Sequence, residues 1–161
     1  MRVLNIIQDS IVDGPGLRST VFFAGCPHRC RGCHNPQSWN RGGGSELETV
    51  KIFELLMNNP FNDVTFSGGE PFFQHHGELL TLASALKSNG KNIWCYTGYK
   101  WEELIKVKSS KEVCEFIDVI VDGPFILQKR DLNLQFMGSS NQRLIDCSNS
   151  LAAKKTVLYE I

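Results

Sequence analysis

The sequence has no surplus of either charge: 17 Lys and Arg offset 17 Asp and Glu across 161 residues. Binding to a polyanion by counterion release needs a concentration of basic side chains, so no nucleic-acid partner is expected. No apolar run approaches the roughly 18 residues of a membrane span, and no membrane partner is expected either. The N-terminal stretch VLNIIQD is broken by Asp9 and carries no signal-type cleavage site, so the expected location is cytoplasmic. Internal repeats, low-complexity tracts and charge blocks are absent, leaving a single domain over residues 1–161 as the expected organisation. The chain also falls short of the roughly 250 residues of a complete eight-stranded α/β barrel, so any barrel must be incomplete.

Cysteine, by contrast, is plentiful. Three of six (Cys26, Cys30 and Cys33) lie in the segment CPHRCRGCHNP. A disulfide scaffold fits poorly, because the chain is long, lacks an export signal and is expected in a reducing compartment. Cys95, Cys114 and Cys147 sit in apolar or mixed surroundings and read as ordinary buried thiols.

The apolar segments alternate in kind. RVLNII, STVFFAG, NDVTFSG, KNIWCYTG and FIDVIVDG read as strands. SELETVKIFELLMNN reads as a helix, with Ser45 and Glu48 at capping-box spacing and Leu47, Val50, Phe53, Leu56 and Met57 recurring every three or four residues. GELLTLASALKSNG, closed by Gly90, KWEELIKV and a short stretch around Glu112 to Phe116 read as further helices. The expected fold class is therefore α/β: an open, incomplete (β/α) barrel with a largely parallel sheet of about 5–6 strands. SGGEP, TGY, DGPF and the cysteine segment each follow a strand. All four converge on the carboxyl edge of the sheet, where parallel α/β folds bind their ligands.

CxxxCxxC supplies three thiolates, one fewer than an ordinary cysteine-ligated iron–sulfur cluster requires. One reading is a zinc site completed by His28 or His34, stabilising a binding module without catalysis. Another is a 4Fe-4S cluster with one iron left open for a substrate. A third is a simple electron carrier, which needs a fourth protein ligand. Gly68 and Gly69 are compatible with a plain turn, but followed by Glu70 and Pro71 they form a loop that a ligand can approach closely, with an acceptor suited to an ammonium group. Thr97 and Asp122 at later strand ends are, taken singly, turn or capping residues. Asp13, Gly14, Pro15, Gly16 and Arg18 form a turn between two strands. His75 and His76 read as helix-entry residues.

The ordered set of CxxxCxxC, SGGEP, VDGPGLR, WCYTGYKWEEL, DVIVDGPF and GSSNQR resembles the radical S-adenosylmethionine superfamily. Within it, the set is most similar to the activating enzymes of anaerobic, class III ribonucleoside-triphosphate reductases, over about Ile11 to Arg143. The resemblance implies that Cys26, Cys30 and Cys33 each bind one iron and that the fourth iron takes the amino and carboxylate groups of S-adenosyl-L-methionine. It implies that Gly68, Gly69 and Glu70 contact the amino group. It further implies that Thr97 and Asp122 help hold the methionine carboxylate, sometimes through a monovalent cation, and that Gly32, Cys33 and His34 lie beside the adenine. Asp13, Gly14, Gly16 and Arg18 are implied to sit at the active-site mouth near the glycine of the partner reductase. The implied reaction is reductive cleavage to a 5′-deoxyadenosyl radical, with an electron from a donor such as flavodoxin or ferredoxin, followed by hydrogen abstraction from that glycine. Pyruvate formate-lyase, another glycyl-radical enzyme, or a small molecule as in the deazaguanine synthases are the alternative substrates. No acid, base or nucleophile beyond the cofactors is implied, and Asn141, Gln142 and Arg143 receive no chemical role.

Overall fold

Strand-forming and helix-forming segments alternate along the chain, and the structure, a computed structural model describing residues 1–161, joins all its strands in one sheet. The strands are β1 (Arg2–Ser10), β2 (Arg18–Phe23), β3 (Ser45–Glu46), β4 (Asp63–Gly68), β5 (Ile93–Tyr96), β6 (Val119–Asp122) and β7 (Arg143–Asp146). Their order is β3-β1-β2-β4-β5-β6-β7, and the sheet does not close. The centre, β2-β4-β5-β6, is parallel, whereas β1 and β3 on one side and β7 on the other pair antiparallel.

The expectation of five or six largely parallel strands is thus corrected to a mixed sheet of seven. The added strands are β3 and β7, and a short connection explains the antiparallel β1: residues 11–17 are too few for the crossover of a dozen or more that a parallel return needs. The proposed capping box is also corrected. Ser45 pairs with Val3 as part of β3, and helix α1 (Thr49–Leu56) begins after Glu48 without a side-chain cap.

Helices α1, α2 (His76–Ser88) and α4 (Lys108–Cys114) cover one sheet face; α3 (Trp101–Leu104) is a single turn, and α5 (Cys147–Ala153) follows β7. On α2, Leu79, Leu82, Ala83 and Leu86 recur at helical spacing and are all buried. They pack with Ile52 and Leu56 of α1 onto Val21, Phe23, Val64, Phe66, Ile93 and Ile120. On α1 the buried stripe runs through Ile52 and Leu56, while Val50 is exposed. His75 and His76 do begin α2, and Gly90, at φ +75°, follows its C-cap. No helix is long and apolar enough to cross a membrane.

Because side chains alternate along a strand, the opposite sheet face carries Thr20, Thr65, Ser67, Trp94 and Tyr96. Trp94 packs there with Val119, Val121 and Leu144, flanked edge-on by Phe136 and Tyr159. The carboxyl ends of the four parallel strands lie side by side at the edge where β2 ends in Phe23 and β4 in Gly68.

Candidate functional site

Each parallel strand delivers one loop to that edge. β2 leads into the cysteine segment, β4 into Gly68-Gly69-Glu70, β5 into Thr97-Gly98 and β6 into Gly123-Pro124-Phe125. Together they line a cavity of about 180 Å³. The cysteine segment contributes Cys26, Cys30 and Cys33 with His28, His34 and Asn35 to its lining, and Ser67, Gly68, Gly69, Tyr96, Thr97, Gly98, Gly123, Phe125, Gly138 and Gln142 complete it.

The glycine pair is dictated by backbone packing. Gly68 has φ +90°, and a Cβ there would lie 2.6 Å from Phe23 N; one on Gly69 would lie 2.5 Å from Gly25 O. Without side chains, the loop locks onto the exit of β2 through Gly69 N to Phe23 O (2.8 Å) and Glu70 N to Gly25 O (2.9 Å).

Glu70 is completely buried, and both its oxygens are taken. Oε1 accepts from Phe72 N at 3.0 Å, and the Thr97 hydroxyl lies 2.9 Å from each oxygen. Oε2 also accepts from Gly98 N at 2.9 Å and meets His28 Nε2 at 2.9 Å. Four donors thus converge on one carboxylate and tie three loops together. Asp122 is equally committed: 1% exposed, it accepts from Trp101 N at 2.8 Å and from Nε of Arg143 at 3.0 Å, and bonds a second guanidinium nitrogen. Its side chain lines a separate cavity with Lys100, Glu102 and Arg143, and only the adjoining Gly123 reaches the cysteine cavity.

The structure does not bring all the predicted residues together. Arg18 opens β2 opposite Asp63, at the amino ends of the parallel strands, and is fully buried. Its guanidinium donates to Thr65 Oγ1 (2.7 Å) and to the carbonyls of Val64 (2.7 Å), Asn92 (3.0 Å) and Pro15 (3.1 Å). Burial lowers its pKa, with Asp63 the leading opposing influence. Gly14 packs on Arg18 and Trp94, and Gly16 has open space around it. Only Asp13 of this turn approaches the site. It accepts from Ser10 at 2.5 Å and from Thr20 at 3.2 Å, and lines a groove of about 540 Å³ that shares His34, Asn35, Ser67, Tyr96 and Gly138 with the cysteine cavity.

Other site residues escaped sequence reasoning. Tyr96 stands where cavity and groove meet, its phenol pKa raised by burial and then by Asp13. Phe125 lies 5.2 Å from the His34 ring, and Leu127 fills the space a side chain at Gly32 would need, at 2.9 Å. Gln142 accepts from Gly138 N (2.8 Å) and donates to Gly123 O (3.0 Å), and Asn141 donates to Pro124 O (2.8 Å), so GSSNQR fastens the last loop. The sole signal for the aromatic and polar residues among these was their place next to a strand end.

The donor set suits a cluster better than a single ion. All six cysteines are unpaired, and no three His, Cys, Asp or Glu side chains are grouped tightly enough to hold one metal ion. His28, a candidate zinc ligand, is spent on Glu70. A four-iron cluster spreads its thiolates over separate irons, and three cysteines lining one cavity fit that demand. Cys95, Cys114 and Cys147 are buried in the core and none reaches the cavity, so a fourth cysteine ligand is lacking. Burial raises the Cys26 thiol, so cluster binding must draw off its proton.

Residues 12–145 match the family model described as a 4Fe-4S single cluster domain. The chain is 37% identical over 142 residues to the anaerobic ribonucleoside-triphosphate reductase-activating protein of Escherichia coli K12, covering 82% of this chain and 90% of that protein. The protein of the same name from Haemophilus influenzae is 34% identical over 152 residues (88% and 96% covered), and that of Enterobacteria phage T4 is 36% identical over 139 (83% and 86%).

Proposed function

The chain belongs to the family of anaerobic ribonucleoside-triphosphate reductase-activating proteins, with their 4Fe-4S single cluster domain, and from that premise we propose how its residues serve a glycyl-radical activation. It is an activating enzyme of the radical S-adenosylmethionine type. Cys26, Cys30 and Cys33 would hold one iron each, which would leave a fourth iron open to S-adenosylmethionine. When bound, the cluster supplies the electron that splits this molecule into methionine and a 5′-deoxyadenosyl radical, which takes hydrogen from a glycine Cα of the reductase. A flavodoxin or ferredoxin is the proposed donor. The observation that carries this reading is that three free cysteines, with no fourth, line one cavity together with the glycine-rich strand ends.

Around that chemistry the chain orients and excludes. The Gly68-Gly69 backbone offers the close approach that the ammonium group needs. Glu70, Thr97 and Asp122 act by holding loops, because their polar atoms are engaged internally. His34 and Phe125 present the ring surfaces for adenine. The groove past Tyr96 admits an extended, glycine-bearing segment of the reductase, bringing its Cα close to the radical before anything else is attacked.

Anaerobic mixing of cluster-reconstituted protein, S-adenosylmethionine, reductant and the cognate reductase tests the assignment. A glycyl-radical electron paramagnetic resonance doublet on the reductase is the expected result. No doublet, with an intact cluster, refutes the substrate.

A further inference from the structure

We propose that His28 is a positioning residue that pins the cysteine loop to the Gly68-Gly69-Glu70 loop, so that the cluster and S-adenosylmethionine are held in one fixed relation. The inference rests on the assignment of the cluster to Cys26, Cys30 and Cys33. From Pro27 to Cys33 the segment has no regular secondary structure, and its one backbone hydrogen bond, Cys33 N to Cys30 O at 3.1 Å, is internal. Of the two hydrogen bonds that leave these residues, Asn35 N to Cys33 Sγ at 3.3 Å is local to the same loop, and the contact of His28 Nε2 with Glu70 Oε2, at 2.9 Å, is the only one that reaches another loop of the site.

The anchor is stiff. Glu70 is buried and fixed by Phe72 N, Thr97 Oγ1 and Gly98 N. The imidazole meets Tyr99 edge-on, with ring centroids 4.5 Å apart. It also packs against Gly98, where a Cβ would stand 2.3 Å from His28 Cδ2. A groove cut to the ring by a missing side chain, ending on a buried acceptor, is a seat for this one residue. Partners of this outer kind typically alter metal affinity about 10–100-fold when removed.

The test compares wild type, His28→Ala, His28→Gln and Gly98→Ala after anaerobic reconstitution with iron and sulfide. Two readouts are followed: bleaching of cluster absorbance by a ferrous chelator, and the change that added S-adenosylmethionine makes in the paramagnetic resonance spectrum of the reduced cluster. His28→Ala should bleach roughly tenfold faster and need roughly tenfold more S-adenosylmethionine for the spectral change. Gly98→Ala, which evicts the ring without touching a cysteine, should do the same. His28→Gln keeps a donor at nearly the position of Nε2, and should stay near wild type and guard against misfolding as the cause. Wild-type behaviour in His28→Ala, or equal loss in His28→Gln and His28→Ala, overturns the proposal. A wild type that takes up no 4Fe-4S cluster would refute the cluster assignment instead.

Discussion

Arg143 grips the buried carboxylate of Asp122 through Nε, at 3.0 Å, and through Nη2, while both terminal nitrogens fork onto Glu102 at 3.1 and 2.9 Å. The guanidinium thereby joins β7 to β6 and to α3. Replacing Arg143 with Ala strands a carboxylate that is 1% exposed, and should cost about 3 kcal/mol, the lower end for breaking a buried pair because Arg143 is itself partly open to solvent. Arg143→Lys should recover only part, since an ammonium cannot fork. Urea midpoints measure both. Asp122→Ala should likewise weaken the fold; a large loss of S-adenosylmethionine affinity in a variant of unchanged midpoint would instead place Asp122 on the ligand.

The same cluster sets a pH dependence. Arg143, followed by Thr156, holds the Glu102 carboxyl down at about 2. A carboxyl depressed by folding stabilises above its ordinary range, and that contribution fades as pH falls from there toward about 2. The stability gap between wild type and Arg143→Ala should therefore narrow between pH 5 and pH 2, by a modest amount because Glu102 is 45% exposed and screened.

Two glycines of one turn should respond differently to alanine. At Gly14, with φ +133°, a Cβ would collide with Arg18 Cδ at 2.8 Å, and strain of about 1–3 kcal/mol adds to that overlap. At Gly16, with φ +74° and nothing within 4 Å, the cost should stay near 1 kcal/mol. Thermal melts of Gly14→Ala and Gly16→Ala should rank in that order, with Gly14→Ala the lower.

Alkylation should divide the cysteines into two sets of three. Burial pushes the Cys114 thiol up to about 12 and raises Cys95 and Cys147 well above the ordinary range, so all three are protonated and shielded in the folded protein. Iodoacetamide at pH 8 should label Cys26, Cys30 and Cys33 in cluster-free protein, and none of the three once the cluster is bound. Peptide mass mapping reads the result; label on Cys95 under native conditions would contradict the burial.

The groove beside the cavity should matter to the protein substrate alone. Val12 and Leu132, 71% and 82% exposed, stand on its rim. Val12→Asp with Leu132→Asp should lower the glycyl-radical yield on the reductase at least tenfold. Reductive cleavage of S-adenosylmethionine in the absence of the reductase should be unchanged, as product chromatography would record.

What could be read in advance was whatever local pattern decides. Strand runs ending in SGG, TG and DG announced one functional edge, because parallel strands necessarily bring their carboxyl ends together. The commitment of Glu70 could not be read, since its partners His28 and Thr97 lie 42 and 27 residues away and meet it only through the fold. The family resemblance implies a place for Arg18 at the active-site mouth. The parallel register of β2 with β4 instead sets it at the opposite edge, where it satisfies backbone carbonyls. Ser45 had the spacing of a cap but was drawn into an edge strand by Val3.

The sheet's two flanks also bear on the company the protein keeps. On one flank the outermost strand is two residues long and its neighbour β1 carries breaks in register; on the other, β7 is four residues long and bridged at Ile145 by Leu158. Neither offers the long flat ladder of free amides on which chains stack into aggregates. Association by strand addition is discouraged along the flanks, which leaves the loop-bearing edge as the surface free to meet a partner.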